Sequence, residues 1–354
     1  MPWTTHLSRG CAALCLSLTA ATAQASLYSN MYVFGDSLSD SGNDLNITSH
    51  AAPPLPAVGV PAPAYYTDGT HTGRFTNGLN YADRLAADFG LALTPSTMGG
   101  NSYAYGGARS DYVLSGLDAY GALSFNQQLG QYLSNVGNVV DPDALYVLWI
   151  GSNDMSDAIG KSLQKGGDLA PIQSEIAQTI TDIVTAFVTL EKLGARNFVI
   201  GNVPDLSLTP TVRQLASAFG PGVQTLARGA SAGFNAALAA TLPVYTFATS
   251  YVTLFDAFDL QTEMTNNPSA YGLTNVTAAC YTGEVDGTSA AGQPTVCAKP
   301  DEYLYYDFEH PSAALHARAA NMIYTQLVPE PGQWALTLIA LGLLGSMSRR
   351  RSRR

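Results

Sequence analysis

The sequence holds little that could bind a metal or a redox centre. Its 354 residues include four cysteines and five histidines. There is no Cys-x-x-Cys pair and no His-Glu-x-x-His run, so neither a thiolate site nor a metalloprotease helix is expected, and no cofactor or metal is called for. Gly160-Lys161-Ser162 looks like the end of a phosphate-binding loop, but that loop needs glycine where Met155 stands. Basic residues are few, 17 against 27 acidic, for a formal net charge of −10. That balance argues against nucleic acid, or anionic headgroups, as partners drawn in by charge. Between residues 26 and 327 no charge block or low-complexity linker is long enough to divide two domains, and the Pro/Ala-rich stretch from Ala51 to Ala64 reads as a surface excursion.

The two ends read differently from the body. Residues 1–25 carry His6 and Arg9, an apolar run from Cys11 to about Ala23, and Ala23-Gln24-Ala25 as a small-x-small cleavage site, the pattern of a secretory signal peptide. Cys11 and Cys15 leave with it. Cys280 and Cys297 remain as an even pair in an oxidising compartment and are expected to form a disulfide closing a Gly/Ser/Thr-rich loop. At the far end, Pro329-Glu330-Pro331 precedes an apolar stretch from Trp334 to Met347 and then Arg349, Arg350, Arg351, Arg353 and Arg354. As a helix that stretch reaches only about 21 Å against a hydrocarbon core of about 30 Å. This order resembles the bacterial PEP-CTERM sorting signal over residues 328–354. The resemblance implies export from a Gram-negative cell, transient membrane contact with the arginines inside, and processing by an exosortase. The alternative is an ordinary short anchor. Without Arg9 and the five terminal arginines, 11 of the basic residues are left, so the body is more acidic than the whole.

Within residues 26–327, strand-like and helix-like segments alternate. Met31 to Phe34, Ala144 to Ile150 and Asn197 to Ile200 read as strands. Asn80 to Phe89, Ser124 to Leu133 and Ile172 to Leu193 read as helices. After a longer irregular part, Pro311 to Gln326 reads as a terminal helix with Pro311 in its first turn. The alternation predicts an α/β fold, a parallel sheet with helices on both faces and chemistry at the carboxyl ends of the strands.

Ser37 lies at one such end, on a turn three residues past Phe34. Taken alone it is as readily an N-cap as a nucleophile. Asn153, in Gly151-Ser152-Asn153-Asp154 after the second strand, offers a carboxamide to a developing oxyanion. The block Gly99 to Ala108 supplies a glycine N–H nearby. A base should be a histidine, and two histidines follow an aspartate by three residues: His71 after Asp68, and His310 after Asp307. That spacing lets the carboxylate orient the imidazole toward a serine. His310 is the better candidate, because its Tyr305-Tyr306-Asp307-Phe308-Glu309 approach is aromatic and partly dry. Ser37 is not framed by the Gly-x-Ser-x-Gly elbow of the α/β-hydrolase fold proper.

Four blocks in this order resemble the GDSL family of the SGNH hydrolases: Gly35-Asp36-Ser37-Leu38 through Asn43, the glycine block ending at Gly107, Gly151-Ser152-Asn153-Asp154, and Asp307-Phe308-Glu309-His310-Pro311. The resemblance implies a three-layer α/β/α sandwich with a flavodoxin-like central parallel sheet. It implies a catalytic Ser37, with His310 as base and Asp307 orienting it, and an oxyanion hole from the Ser37 N–H, Gly107 N–H in preference to Gly106, and Asn153. One departure is that Ser102 stands where the family has asparagine.

These parts lead to the expectation of a secreted serine esterase, at the cell surface or outside the cell, that cleaves carboxylic esters through an acyl-enzyme. The substrate stays open between a lipid, as for a lipase or lysophospholipase, and an acylated glycan, as for an exopolysaccharide O-acetyl esterase. Tyr65, Tyr66, Phe75, Tyr103 and Tyr105 could line an acyl pocket, stack on sugars or simply pack. A rival of another class is a surface matrix-binding protein on a hydrolase scaffold that has lost its activity.

Overall fold

The computed structural model describes residues 27–49, 70–114, 118, 121–283 and 294–328. The expected leader, the Ala51 to Ala64 stretch and the chain from Pro329 onward lie outside them, as do His50, Tyr65, Tyr66 and Asp68. In chain order the elements are β1 (Met31–Gly35), α1 (Asn43–Ser49), α2 (Tyr81–Asp88), α3 (Phe125–Asn135), β2 (Leu145–Trp149), α4 (Ser152–Gln164), α5 (Ala170–Leu193) and β3 (Asn197–Gly201). There follow α6 (Pro210–Phe219), α7 (Gly222–Tyr245), β4 (Tyr251–Phe255), α8 (Ala257–Asn266), β5 (Asn275–Ala279), β6 (Tyr303–Tyr305) and α9 (Ala313–Leu327).

The central sheet is parallel in the order β1-β2-β3-β4, with Val33 opposite Val147 and Val147 opposite Val199. A further short segment lies along the free edge of β1. Val33 N–H donates to Asn101 O (3.1 Å), and Tyr103 and Tyr105 N–H donate to Val33 O (2.7 Å) and Gly35 O (3.3 Å). Counting residues 101–105 as a strand second in the chain makes the order 2-1-3-4-5, the flavodoxin-like one, with its topological switch between β1 and β2. The expected three-layer architecture is therefore the observed one.

Side chains leave each strand on alternate faces, and this splits the core in two. Phe34, Tyr146, Leu148, Phe198 and Ile200 pack toward α3, α4, α5 and α7. Met31, Val33, Leu145, Val147 and Val199 face α2, α8 and α9. Because both faces are covered, β2 is buried at all five positions, which is why it reads as an unbroken apolar run.

Two expectations need correction. The stretch read as irregular holds α6, α7, β4 and α8. The long α7 is interrupted in sequence by Gly229, Gly233 and Pro243, and β4 is an edge strand with Tyr251 and Leu254 exposed, so neither carries a clean period. Pro311 precedes the last helix instead of opening it: Ser312 holds the N-cap position, and Pro311 O accepts from Thr76 Oγ1 at 2.9 Å.

Cys280 and Cys297 are joined in a disulfide with Cα atoms 4.8 Å apart, as expected. Cys280 packs with Tyr281 and Tyr306 in a small cluster of its own. Its N–H donates to Tyr305 O at 3.2 Å, and Tyr281 N–H donates to Tyr306 O at 2.6 Å, so the bridge braces the strand leading to Asp307. No helix among the described residues is long and apolar enough to cross a membrane.

Candidate active site

At the end of β1 the chain turns so tightly that only glycine fits at position 35, where a Cβ would lie 2.3 Å from the Trp149 carbonyl. The Gln128 side chain from α3 clamps this residue, accepting from Gly35 N–H and donating to Gly35 O, both at 2.9 Å. Asp36 then closes the turn: its carboxylate accepts from Leu38 N–H at 3.0 Å, and its carbonyl accepts from Ser39 and Asp40 N–H. Ser37 sits at the apex and caps no helix. Asp40 does that work for α1, accepting from the N–H groups of Gly42, Asn43 and Asp44.

His310 reaches Ser37 from the other end of the chain. Its Nε2 lies 2.8 Å from Ser37 Oγ, and its Nδ1 lies 2.7 Å from Asp307 Oδ2. The three-residue spacing works because the second oxygen of Asp307 also accepts from Glu309 N–H (2.8 Å) and His310 N–H (2.6 Å), so one carboxylate shapes the turn and aims the ring. Phe75 packs on the ring at 5.1 Å between centroids.

Burial by itself would push the Asp307 carboxyl up, but the charge of His310 and three hydrogen bonds hold it below the usual carboxylate range. Burial would push His310 down, and the Asp307 charge and hydrogen bond outweigh it, so the net direction is up. With Asp307 ionised and able only to accept, Nδ1 carries the proton and Nε2 of the neutral ring accepts from Ser37. Such a line of groups can draw the proton from a serine hydroxyl.

Of the other histidines, His71 makes no bond to Ser37. His316 is fully buried, accepts from Tyr81 N–H at 3.2 Å, and is driven down to about 3 by burial, so it stays neutral. The run Gly229-Ala230-Ser231-Ala232-Gly233 has the spacing of a nucleophile elbow but lies inside α7, where buried Ser231 accepts from Leu206 N–H.

The oxyanion candidates flank the same site. Asn153, in the first turn of α4, lines a cavity of about 250 Å³ together with Ser37 and His310. Its Nδ2 donates to Ala108 O at 2.9 Å, which ties it to the glycine block. Gly107 has φ of 69°, a left-handed value suited to glycine. Gly106 N–H is already engaged by Asp40 at 3.2 Å. The N–H groups of Ser37 and Gly107 make no hydrogen bond to the described residues.

Several residues that the sequence did not single out hold this arrangement. Arg109 forks onto Asp157 of α4 through Nε and Nη2, each at 2.9 Å, and donates from Nη1 to Gly107 O at 2.7 Å. Asp157 lies one helical turn after Asn153, so the ion pair sews the glycine block to the helix bearing the carboxamide. Although burial pushes Asp157 up, the Arg109 and Tyr112 hydrogen bonds hold it below the usual range. Asp154 accepts from Ser110 N–H at 2.8 Å. Ser102 Oγ is buried without a partner among the described residues, and Asn43 donates to the Ser102 and Ala104 carbonyls, each at 2.9 Å. No local pattern joins these pairs in the sequence.

Of the roles left open for the aromatic residues, packing is the one observed for Tyr103 and Tyr105. Tyr103 and Tyr105 are core residues, and Tyr103 stacks on Phe34 at 5.4 Å. The pairing of residues 101–105 with β1 turns both inward, so neither lines the cavity. Its lining mixes aliphatic side chains such as Ile159, Leu163, Leu206, Val212, Leu215 and Leu315 with polar ones, and α4, α6, α8 and α9 all contribute.

Asp44 is another buried acid near the site. It is fully buried beside Asp40, and neither of its oxygens has a hydrogen-bond partner among the described residues. Burial, and then the Asp40 charge, push its carboxyl well above the ordinary value, which favours the protonated form. A raised folded-state value contributes stability at low pH that is lost as pH rises toward it. Asp44→Asn removes that loss. Relative to the variant, the wild type should therefore lose more than about 1 kcal/mol of stability between pH 4 and 8 in urea unfolding. A difference constant over that range would contradict a protonated Asp44.

The family model described as GDSL-like Lipase/Acylhydrolase matches residues 31–323, and the PEP-CTERM protein-sorting motif matches residues 327–354. A protein named Lipase 1 from Photorhabdus luminescens is 31% identical over 57% of this chain and 26% of its own length, so the chain spans about a quarter of that relative. A GDSL esterase/lipase of Arabidopsis thaliana is 27% identical over 87% of this chain and 89% of its own. A phosphatidylcholine-sterol acyltransferase of Aeromonas hydrophila is 28% identical over 76% and 71%. The family match runs from β1 into α9, the same stretch that folds around Ser37, and the chain belongs to the GDSL-like lipase/acylhydrolase family.

Proposed function

We propose that this protein is an exported serine esterase. The observation that carries the proposal is the 2.8 Å contact between Ser37 Oγ and His310 Nε2, backed by the 2.7 Å bond from His310 to Asp307. Ser37 attacks the ester carbonyl while His310 takes its proton, and the tetrahedral oxyanion is met by the N–H groups of Ser37 and Gly107 and by the Asn153 carboxamide. His310 then protonates the leaving alcohol. Water, deprotonated by the same histidine, then attacks the acyl carbonyl, the bond to Ser37 Oγ breaks, and His310 returns the proton to Ser37 as the acid leaves. Asp307 holds the ring and balances its charge.

Residues 1–25 would direct export, residues 26–327 would form the hydrolase, and residues 328–354 would bring it to an exosortase through brief membrane contact. The aliphatic side chains in the cavity lining, Ile159, Leu163, Leu206, Val212 and Leu215 among them, favour a lipid-like acyl ester over an acetylated glycan. One family relative, from Arabidopsis thaliana, is named an inactive GDSL esterase/lipase-like protein. In this chain serine, histidine and aspartate are all present and in contact, which argues for catalysis over matrix binding alone.

Ser37→Ala is expected to lower hydrolysis of a p-nitrophenyl ester by about 10⁴-fold or more, and His310→Ala to do similar damage while His71→Ala does little. Wild-type rates in Ser37→Ala, or loss in the His71 variant alone, would overturn the assignment.

The pH profile gives a second test. The base form of His310 is needed, and its pKa is raised, so kcat/KM should climb with pH along a limb above the ordinary histidine value of 6.5. In Asp307→Asn the raising charge is gone and burial remains, so the limb should move to lower pH as the rate falls. A limb that stays in place would exclude Asp307 as its cause.

A further inference from the structure

The catalytic cavity continues as a groove away from Ser37, and two helical stripes wall it. On α4 the lining residues Asn153, Ser156, Gly160 and Leu163 follow one another at i, i+3, i+7 and i+10, the spacing of a single helix face. The facing wall repeats every three residues, with Leu206, Thr209, Val212 and Leu215 on the turn before α6 and on α6 itself. Neither stripe carries a charged side chain, while Asp36, Asp157 and Glu309 line other parts of the cavity. Asp157, at its edge, is held by Arg109 and Tyr112.

Gly160 is the unexpected member. Glycine in a helix interior is about 1 kcal/mol less favourable than alanine. Close packing often explains such a glycine, but a Cβ built at position 160 meets no heavy atom within 4 Å. The missing side chain leaves open volume in the groove, between the bulkier Ile159 and Leu163.

We propose that this groove holds the acyl chain of the ester and that Gly160 is the residue that sets how long the chain can be, an assignment that rests on the esterase reading above. Seven residues of helix separate Asn153, beside the reacting carbonyl, from Gly160, or about 10 Å at about 1.5 Å per residue. An extended chain with bonds of about 1.5 Å advances about 1.25 Å per carbon. An acyl group therefore passes over Gly160 near its eighth carbon and reaches Leu163 near its twelfth. The substrate class is an ester of a medium-chain fatty acid, about eight to twelve carbons, in an aliphatic slot that gives an acetyl group little to bind.

The test measures kcat/KM for p-nitrophenyl esters from acetate to laurate, beside ethyl and octyl acetate, in which only the alcohol is varied. In wild type the decanoate should exceed the acetate. In Gly160→Trp the decanoate-to-acetate ratio should fall about tenfold or more, because several methylenes lose their apolar contacts. Leu215→Trp closes the groove from the opposite wall and should move the ratio the same way, which keeps the test open if one variant does not fold. Gly160→Ala should shift the ratio only for the longest chains. A ratio unchanged in both folded tryptophan variants would overturn the groove assignment while leaving the esterase reading intact. A change confined to the alcohol series would also overturn it, placing the leaving group there instead. Wild-type protein that hydrolyses none of these esters would overturn both.

Discussion

One hydrogen bond, from Ser37 to His310, joins residues 273 apart in sequence, and most of the fold can be understood as what makes it possible. The serine side depends on β1 ending in a turn too tight for any side chain at Gly35, with Gln128 gripping both backbone polar groups of that residue. The histidine side depends on Asp307, which fixes the turn and the ring with one carboxylate. Thr211, in the first turn of α6, donates from both N–H and Oγ1 to Phe308 O at 3.0 Å, fastening that turn to a wall of the acyl groove. The same contacts that aim the base therefore also position the surface on which an acyl chain would lie.

The site has a marked electrostatic asymmetry. Asp307 stays ionised because three hydrogen bonds, and the charge of His310 whenever that ring is protonated, favour its charged form, whereas Asp36 and Asp154 near Ser37 are buried with fewer partners. Burial pushes Asp36 up to about 7, although Leu38 N–H opposes it, and pushes Asp154 up to about 6. Asp36 lines the cavity with one oxygen unpaired. Burial favours the protonated form of both acids, and the largest upward push on His310 is that of Asp307, ahead of Glu309 and Asp36. As pH rises, the same acids ionise in a dry setting at a cost in stability, while catalysis needs His310 deprotonated. Activity and stability are thus drawn toward opposite ends of the pH range.

Much of this was legible in the sequence, for reasons that also mark where legibility ends. β2 could be read because a strand covered on both faces is an unbroken apolar run, and Asp307 could be paired with His310 because their coupling spans three residues. Long-range partners left no local trace: Arg109 meets Asp157 across 48 positions, and Gln128 meets Gly35 across 93. Tyr103 and Tyr105 look like loop aromatics until residues 101–105 are seen paired along β1. The helix α7 carries no clean apolar period in the sequence and α6 is only ten residues long, although α6 supplies Val212 and Leu215 to one wall of the groove. The choice of Gly107 over Gly106 rested on the family pattern, and the structure adds a physical ground, since the Gly106 N–H is engaged by Asp40.

The central claim is that His310 makes Ser37 a nucleophile, and covalent labelling tests it most directly. Purified protein would be treated with a fluorophosphonate and digested, and the modified peptide located by mass spectrometry. The account predicts a single adduct on Ser37, formed quickly in wild type and slowed by orders of magnitude in His310→Ala. An adduct on another residue, or labelling of Ser37 at an unchanged rate without His310, would contradict it.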